Sequence, residues 1–203
     1  MIWNDAQSNG QNRYRPLHFS TDPGGGPRFG GFPPEGVLPP VLNPFTRFLL
    51  SVPLADGLEL SLFSSFDMSG DGNLSPYNKA FELMGEDEKI IQFVVHPPTA
   101  TSASSPEWSG FPPCALVMGN VTPEREGNPY EHHKIGGRPH FEKDFGMAQA
   151  VETMVDYVHL LQLAFPVGPG DATLNITWPF GTWVFHVFGR KKLDEWSFAY
   201  CWS

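Results

Sequence analysis

The chain has little cysteine and no long apolar segment. Its 203 residues include two cysteines, Cys114 and Cys201, which are far apart and form no Cys-x-x-Cys pair. Two distant thiols favour buried, reduced cysteines over a disulfide framework. No apolar run approaches the roughly 20 residues that span a bilayer, and residues 1–16 lack the apolar centre of a signal peptide. We therefore expect a cytoplasmic protein with no membrane partner.

Basic residues are also scarce. Thirteen Lys and Arg stand against 22 Asp and Glu, which gives a formal net charge of −9. Nucleic-acid binders need a cationic face to displace counterions from phosphate, so this composition argues against a nucleic-acid partner. An acidic chain is compatible with a basic protein partner, although an acidic balance more often serves solubility alone.

Recognisable catalytic motifs are missing as well. The sequence contains no Gly-x-Ser-x-Gly elbow, no phosphate-binding P-loop, no Gly-x-Gly-x-x-Gly and no His-Glu-x-x-His. We therefore predict no enzyme activity and no cofactor. An enzyme with an unrecognised site stays open as an alternative.

Glycine, proline and aromatic residues are abundant. The 21 Gly and 21 Pro favour short strands and loops, because proline blocks helix interiors and glycine weakens them. Apolar or alternating segments predict strands at residues 45–54, 58–62, 88–96, 114–118, 158–165, 174–178 and 183–188. One helix is predicted over residues 145–157, whose apolar residues fall near one face. The predicted fold class is mainly β, an α+β arrangement with a minor helix.

Two parts of the chain resemble each other. The sequence RFGGFP at residues 28–33 and KIGGRP at residues 134–139 share a basic–apolar–Gly–Gly–x–Pro pattern. A leucine-rich strand follows each copy, and then a glycine-led strand with aromatic residues. The same order of three features predicts an internal duplication.

The duplication defines the predicted domain organisation. The adjacent glycines, Gly30-Gly31 and Gly136-Gly137, permit positive φ and close backbone approach, and the proline fixes the direction of the exit. We predict an irregular N-terminal arm at residues 1–27. Residues 28–203 then form a single mainly β-sheet domain of two repeats, at about 28–118 and 133–203.

These segments resemble the YwqG-like family, a bacterial family of unknown function. Residues 133–141 are similar to the family's hallmark segment, and residues 160–163 are similar to its leucine–glutamine strand. The segment from Trp178 to Gly181 is similar to the family's turn, and residues 200–202 are similar to its C-terminal segment. The resemblance covers most of the chain from about residue 28 but not residues 97–130. It implies a duplicated, largely β fold and brings no established enzyme activity. Relatives are associated with bacterial toxin–immunity systems.

The chain also departs from the family. Pro179 and Phe180 stand where the family turn has a Gly-Asp pair, and Ser51 stands in place of a glutamine in the first leucine strand. These departures remove polar groups from any polar site that the family shares.

One loop resembles a calcium site. Within residues 67–78, calcium-loop positions are taken by Asp67, Ser69, Asp71 and Asn73. However, Asn78 stands where a bidentate Glu is needed, and the preceding segment has a strand pattern instead of a helical one. A plain surface turn explains the same residues, so calcium binding is the weaker interpretation.

A second ligand-capable cluster surrounds the second Gly-Gly pair. Its members are Glu131, His132, His133, His140, Glu142 and Asp144. Their spacing matches no known zinc site, so we favour a polar loop over a metal site. His159 and His186 lie in apolar strands and are predicted to be core histidines.

The leading hypothesis is a non-enzymatic binding protein of the immunity type, which neutralises a cognate toxin by stoichiometric binding. Residues 97–130 depart from the family and are the predicted contact surface, with aromatic hot spots and acids that steer a basic toxin. The predicted partner-binding residues are Trp108, Phe111, Glu107, Glu124, Glu126 and Tyr130. The alternative is a small-molecule or calcium-binding module that uses the cleft between the repeats.

Overall fold

The computed structural model describes residues 13–21, 26–42, 46–65, 91–101, 113–124, 133–141, 156–164 and 184–202. Regular structure within these ranges consists of strands without any helix, so the prediction of a mainly β fold is confirmed. The strands are β1 (Arg13–Ser20), β2 (Arg28–Phe29), β3 (Thr46–Pro53), β4 (Glu59–Ser65), β5 (Ile91–His96), β6 (Cys114–Met118), β7 (Thr122–Pro123), β8 (His133–Gly136), β9 (Val158–Leu163), β10 (Phe185–Lys192) and β11 (Glu195–Trp202). The predicted helix at 145–157 and strand at 174–178 lie almost wholly outside the described residues.

The chain divides into two compact units. One, which we call the terminal unit, comprises Met1–Ser20 and Leu116–Ser203. The other, the central unit, comprises Thr21–Ala115. Strand β6 is divided between them after Ala115. Strand β1 belongs to the terminal unit, although the sequence pattern placed its residues in an arm outside both repeats.

The terminal unit contains an antiparallel meander of four strands. In it β8 pairs with β9, β9 with β10 and β10 with β11. On its other side β8 pairs with β1, which also pairs with β7. Strand β9 and the first five residues of β10 are buried almost throughout. Burial on both faces explains why apolar residues occupy consecutive positions in these strands instead of alternating with exposed polar ones.

The central unit contains a meander with the same succession. Strand β2 pairs with β3, β3 with β4 and β4 with β5, all antiparallel, and β2 pairs on its other side with Cys114 and Ala115 of β6. A core cluster of Val37, Phe48 and Phe63 packs in this unit. The two phenylalanine rings meet edge to face at 5.6 Å. Full burial of each ring contributes roughly 1.5–3 kcal/mol.

A bulge interrupts the second strand of the central meander. Phe48 pairs with Phe63, and Leu50 pairs with Leu62, so Leu49 is an extra residue on β3. A one-residue bulge reverses the alternation of side chains beyond it.

The terminal meander has a bulge at the corresponding place. His159 pairs with Phe188, and Leu161 pairs with Val187, so Leu160 is the extra residue on β9. Both bulges therefore fall on the first leucine of the leucine-rich segment that follows the Gly-Gly pair.

All four glycines of the two Gly-Gly pairs have left-handed backbones. Their φ angles are 68° at Gly30, 72° at Gly31, 70° at Gly136 and 71° at Gly137. Other residues adopt this conformation at a cost of roughly 1–2 kcal/mol. The second glycine of each pair is also in close contact with a residue in or immediately before a neighbouring strand. A Cβ on Gly31 would lie 2.9 Å from that of Pro113, and a Cβ on Gly137 would lie 3.0 Å from that of Tyr14.

The prediction of an irregular arm over residues 1–27 is wrong for Arg13–Ser20, which form β1. Tyr14, Leu17 and Phe19 of this strand are buried. The Gly- and Pro-rich composition of the whole segment obscured the apolar positions within these eight residues. Pro16 is compatible with the strand because its carbonyl group still accepts a hydrogen bond, from the N–H of Gly119 at 2.8 Å.

Candidate functional site

The terminal unit carries a row of polar side chains across β8, β9 and β10. Lys134 pairs with Gln162, and Gln162 pairs on its other side with His186. Directly opposed residues of antiparallel strands place their side chains on the same face of the sheet. All three residues are 0 % exposed. With three neighbours they form what we call the buried polar cluster: Lys134, Gln162, His186, His159, Glu124 and His140.

The bulge at Leu160 adds His159 to this face. Without it, His159 and Gln162 would point to opposite faces, because they are three residues apart on one strand. The bulge places His159 opposite Phe188, which shares a face with His186 two residues away. The two imidazole rings consequently lie 5.6 Å apart, centre to centre.

Backbone carbonyls determine which ring nitrogens of these histidines carry protons. Nδ1 of His159 lies 3.1 Å from the carbonyl oxygen of Gly136 and 3.2 Å from that of Gly137. Since a carbonyl only accepts, Nδ1 is the protonated nitrogen and Nε2 is the acceptor. Nδ1 of His186 lies 3.5 Å from this Nε2 and donates to it.

A buried ion pair lies at the other end of the cluster. Lys134 Nζ donates to Oε1 of Glu124 and to the carbonyl oxygen of Arg138, both at 2.6 Å. The Arg138 N–H donates in turn to Oε2 of Glu124 at 3.1 Å. His140 Nε2 lies 3.0 Å from Oε1, and the ring centre of Tyr14 lies 5.3 Å from Nζ. Three donors therefore hold one carboxylate beside the bend that follows β8.

The environment of the pair changes both ionisation equilibria. Burial raises the pKa of the Glu124 carboxyl, but hydrogen bonds from His140, Lys134 and Arg138, together with the lysine charge, outweigh burial and bring the pKa to about 2. For Lys134, burial lowers the pKa by more than Glu124 raises it. Glu124 is therefore a carboxylate throughout the physiological range.

His159 and His186 are held neutral. Burial, followed by the charge of Lys134, lowers the pKa of His159 to about 3, against the hydrogen bonds from its ring to the backbone carbonyls. Burial and then its neighbour His159 lower the pKa of His186 well below the ordinary value. The prediction that both are core histidines is confirmed by their burial.

His140 connects the bend to the row. Its backbone N–H donates to Oε1 of Gln162 at 3.1 Å, while its ring binds the carboxylate. The next residue, Phe141, places its ring 4.9 Å from that of His186. Nδ1 of His140 is buried without a hydrogen-bond partner among the described residues.

The cluster is therefore an internal network that fixes the path of the chain after β8. Its cation, its anion and the neutral imidazoles of His159 and His186 contact one another and the backbone. Among the residues that the structure describes, no group of three His, Cys, Asp or Glu side chains is placed to hold a metal ion.

The central unit has a polar row at the corresponding strand positions. Arg28 pairs with Ser51, and Ser51 pairs with Ser61, across β2, β3 and β4. Two residues along β4, Glu59 pairs with His96. The Ser51 hydroxyl donates to Oε2 of Glu59 at 3.2 Å. Five polar residues thus share one face of this unit.

A serine and a histidine of this row form a hydrogen-bonded pair. Ser61 Oγ lies 2.8 Å from His96 Nε2, and His96 Nδ1 lies 2.7 Å from the carbonyl oxygen of Pro97. The carbonyl requires the proton on Nδ1, so Nε2 accepts from the serine, as a general base does in nucleophilic catalysis. However, Ser61 is 0 % exposed. The pair has the chemistry of a nucleophile and base but is turned into the core.

The sequence pattern missed both polar rows. The alternation in residues 58–62 predicted a strand, but it did not indicate that Ser61 is buried in a polar row. Lys134 was recognised only as part of the repeated motif. Its place before a Gly-Gly pair gives no sign of burial, because lysine is almost never fully buried unless it is paired.

Few of the predicted partner-binding residues are described. Five of the six lie outside the described residues, namely Glu107, Trp108, Phe111, Glu126 and Tyr130. Glu124 is described, and its side chain is 12 % exposed and bound to Lys134. The structure therefore assigns Glu124 an internal position, whereas its predicted contact with a partner stays a prediction.

The metal candidates and the family turn are only partly described. Three sets of predicted residues lie outside the described ranges. They are the calcium-like residues Asp67, Ser69, Asp71 and Asn73, the turn residues Trp178 and Gly181, and four members of the acidic and histidine cluster, Glu131, His132, Glu142 and Asp144. His133 was assigned to a polar loop, which is wrong. It is a buried residue of β8, and its Nδ1 accepts from the N–H of Ala164 at 3.1 Å.

Both cysteines are buried and lie outside any disulfide bond, as the sequence predicts. Burial raises the pKa of the Cys201 thiol to about 12 and also raises that of Cys114. Both side chains therefore stay protonated, unreactive thiols at neutral pH.

Exposed apolar side chains occur at three places in the described chain. On β6, Val117 is 50 % exposed and Met118 is 36 % exposed. In the central unit, Leu38, Val41 and Leu42 are exposed, and Gln92 holds the backbone of Val41 through two hydrogen bonds of 2.7 and 2.9 Å. Leu193 is exposed alone at the turn between β10 and β11.

Comparisons with protein-family models, with curated proteins and with solved structures find no match for this chain. A search of the described residues for a helix long and apolar enough to cross a membrane finds none.

Proposed function

We propose that this chain is a cytoplasmic, non-enzymatic binding protein of the immunity type, which neutralises a cognate toxin by stoichiometric binding. The observation that carries the proposal is the exposure of Val117 and Met118 at the end of β6. Both belong to residues 97–130, the part of the chain that does not resemble the YwqG-like family. A partner-specific surface belongs where relatives differ, and exposed apolar side chains supply its binding energy.

The backbone at the end of β6 is held in place on both sides of these two residues. Leu116 is buried, and the N–H of Gly119 donates to the carbonyl oxygen of Pro16 at 2.8 Å. Val117 and Met118 are thus held between two anchored residues, so binding a partner would order little additional backbone. Successive strand residues point to opposite faces, so the two side chains offer distinct contacts.

The positions of the polar groups also favour binding over catalysis. A general base or nucleophile must reach the atom on which it acts. Ser61 and His96 contact each other inside the core, and the carboxylate of Glu124 is enclosed by three donors. These groups stabilise the two units.

The net charge of −9 favours a basic toxin, since an acidic protein attracts a cationic partner over distances of about one Debye length. Glu124 does not serve this attraction, because Lys134 neutralises it. The acids that steer the partner must therefore be others, and the sequence candidates within residues 97–130 are Glu107 and Glu126.

We also propose that the two units descend from one duplicated segment of the YwqG-like type. Three matches support this origin: a basic residue opposite a polar residue of the next strand, two left-handed glycines after it, and a bulge at the first leucine of that next strand. Arg28 lies opposite Ser51 in one unit, and Lys134 lies opposite Gln162 in the other. Independent origin would not require the bulges to coincide.

The test is co-expression of the chain with the product of the adjacent reading frame. We expect the wild-type chain to protect the cell and to purify with that product in a 1:1 complex. Val117→Asp and Met118→Asp are tested separately, because their side chains point to opposite faces. At least one should weaken the complex roughly 30-fold or more, the loss typical of a hot spot.

Leu193→Asp is the matched control. It places the same charge at an exposed leucine outside residues 97–130, and the complex should survive it. Circular dichroism establishes that each variant is folded. Failure of the wild-type chain to bind the product would contradict the immunity function, and full affinity in both β6 variants would remove the surface that carries the proposal. Protection at far less than one copy per toxin molecule would indicate an enzyme instead.

A further inference from the structure

Arg28, the first residue of β2, has guanidinium nitrogens without an acceptor. Its Nε and Nη2 atoms are buried, and neither has a hydrogen-bond partner in the part of the chain that the structure describes. A buried donor without an acceptor loses its hydration with no compensation, and the loss is larger for a charged group. The position therefore requires an acceptor that the described residues do not supply.

The nearest acid does not provide it. Glu59 acts on Arg28 through its charge, but its Oε2 accepts a hydrogen bond from the Ser51 hydroxyl. The guanidinium carbon lies 5.8 Å from the ring centre of Phe48. An aromatic ring thus packs against the planar group, and the edge formed by Nε and Nη2 is left for a ligand.

The equivalent position in the terminal unit is Lys134. Arg28 lies opposite Ser51 in its meander, and Lys134 lies opposite Gln162, the corresponding residue of the next strand. Each cation stands two residues before a left-handed Gly-Gly pair.

The second glycine of each pair approaches a residue in or immediately before the neighbouring strand. Gly31 approaches Pro113, and Gly137 approaches Tyr14, at nearly the same distance. The backbones around the two cations are therefore alike in register, in φ and in contact.

In the terminal unit this arrangement binds a carboxylate. Oε1 of Glu124 accepts from Lys134, Oε2 accepts from the N–H of Arg138, and Oε2 lies where a Cβ on Gly137 would be. The small size of glycine thus makes room for the carboxylate. In the central unit, the three atoms nearest to the same point on Gly31 all belong to Pro113, and the residue equivalent to Arg138 is Phe32.

We infer that Arg28 and the backbone N–H of Phe32 form a carboxylate-binding site in the central unit. The carboxylate belongs to a ligand and takes the position beside Gly31 that Glu124 takes beside Gly137. Arg28 as a whole is partly exposed, whereas its Nε and Nη2 atoms are buried, so the ligand reaches them only when the groups that cover this edge move aside. The ligand is a small carboxylic acid or the acidic side chain of a peptide.

Two features select a carboxylate over other anions. Nε and Nη2 lie on one edge of the guanidinium, and this edge matches the two oxygens of a carboxylate in a bidentate hydrogen-bonded pair. Glu59 lies close enough to influence Arg28, so its charge opposes a doubly charged phosphate more than a singly charged carboxylate.

The test titrates the full chain with sodium succinate at an ionic strength held constant with sodium chloride. The Nε–H resonance of Arg28, assigned by its disappearance in Arg28→Lys, should shift and saturate, and the thermal midpoint of unfolding should rise. Arg28→Lys keeps the positive charge but removes the paired Nε and Nη2 donors. It should bind succinate roughly 10-fold to 100-fold more weakly, as expected for lost hydrogen bonds to a charged group.

Lys192→Met is the control, because it removes one exposed cation from the terminal unit and should leave binding unchanged. A second titration uses an N-acetylated, C-amidated peptide whose only carboxylate is one Glu side chain. A response to succinate assigns a small acid, and a response to the peptide alone assigns a protein ligand. The inference is overturned if neither probe moves the Arg28 resonance, if inorganic phosphate produces the larger response, or if Lys192→Met weakens binding as much as Arg28→Lys.

Discussion

Lys134 Nζ lies 2.6 Å from Oε1 of Glu124, and the lysine side chain has no exposed surface. Burying two ions removes their hydration, and only close geometry with additional hydrogen bonds offsets that loss. Arg138 supplies two such bonds, since its carbonyl oxygen accepts from the lysine and its N–H donates to the carboxylate. The ion pair therefore fixes the backbone immediately after Gly136 and Gly137.

Replacing either Glu124 or Lys134 should therefore destabilise the folded chain. Glu124→Gln leaves the charge of Lys134 buried without its counterion, so we expect the free energy of unfolding to fall by roughly 3–5 kcal/mol. Lys134→Met should cost less, because the carboxylate keeps two other donors. The double variant should be more stable than the sum of the two losses predicts, since it contains no unpaired ion. Urea unfolding of the four proteins measures this coupling.

Glu195→Gln is the control for the lost charge, because Glu195 is exposed at the start of β11. It should change stability by less than about 0.5 kcal/mol. Losses at Glu124 and Lys134 that simply add would contradict the buried pair.

Alanine in place of glycine separates backbone strain from steric contact. Gly57 and Gly137 have φ of 73° and 71°, so alanine at either position should cost about 1–2 kcal/mol. Only at Gly137 would the new methyl group also meet Glu124 and Tyr14, since nothing lies within 4 Å of the same point on Gly57. Gly137→Ala should therefore be the more destabilised variant in urea unfolding.

Gly26→Ala is the control for the added methyl group, because nothing lies within 4 Å of the point that its Cβ would occupy. Equal losses at Gly57 and Gly137 would show that the contacts are unimportant.

Local patterns were sufficient to predict most of the described strands. The apolar runs at 45–54, 114–118 and 158–165 correspond to β3, β6 and β9. In each, burial of consecutive residues produces an apolar segment that can be recognised without knowledge of its partners. β1 was missed because its polar residues and Pro16 conceal the apolar positions that its neighbours bury.

The polar cluster could not be predicted in the same way, because it depends on pairings between distant residues. Strand β1 pairs with both β7 and β8, and this brings the end of β7, with Glu124, to Lys134. The bulge at Leu160 then reverses the alternation that a sequence pattern assumes, and so places His159 beside His186. Register and bulges are set by tertiary packing, and a single sequence does not state them.

Ser61 should be unreactive in the native chain. Its hydroxyl donates to His96 Nε2, but the residue has no exposed surface, so a fluorophosphonate probe cannot approach the oxygen. We expect mass spectrometry to find the same background labelling in the wild-type chain and in Ser61→Ala. Labelling that Ser61→Ala abolishes would contradict a buried structural role and would favour the enzyme alternative.

The stability of the chain should fall as the solution becomes acidic, beginning at about pH 6.5. The folded state lowers the pKa of His159 from the ordinary 6.5 to about 3 and also lowers that of His186. Below pH 6.5 the unfolded chain therefore binds protons that the folded chain does not. The free energy of unfolding then falls with pH, by up to about 1.4 kcal/mol per pH unit for each histidine. Glu124, with a pKa of about 2, adds a loss of the same sign only below its ordinary value of 4.5.

His159→Phe isolates one of these contributions between pH 7.5 and 5, above the range in which Glu124 titrates. Phenylalanine is a suitable replacement because Phe48 occupies the corresponding place, opposite Phe63, in the central unit. In urea unfolding, the variant should show a shallower dependence of the free energy on pH than the wild-type chain. His18→Gln is the control, since His18 is exposed on β1 and its removal should leave the slope unchanged. Identical slopes for wild type and His159→Phe would contradict the neutral, buried state of His159, because a histidine that is protonated equally in both states contributes no dependence on pH.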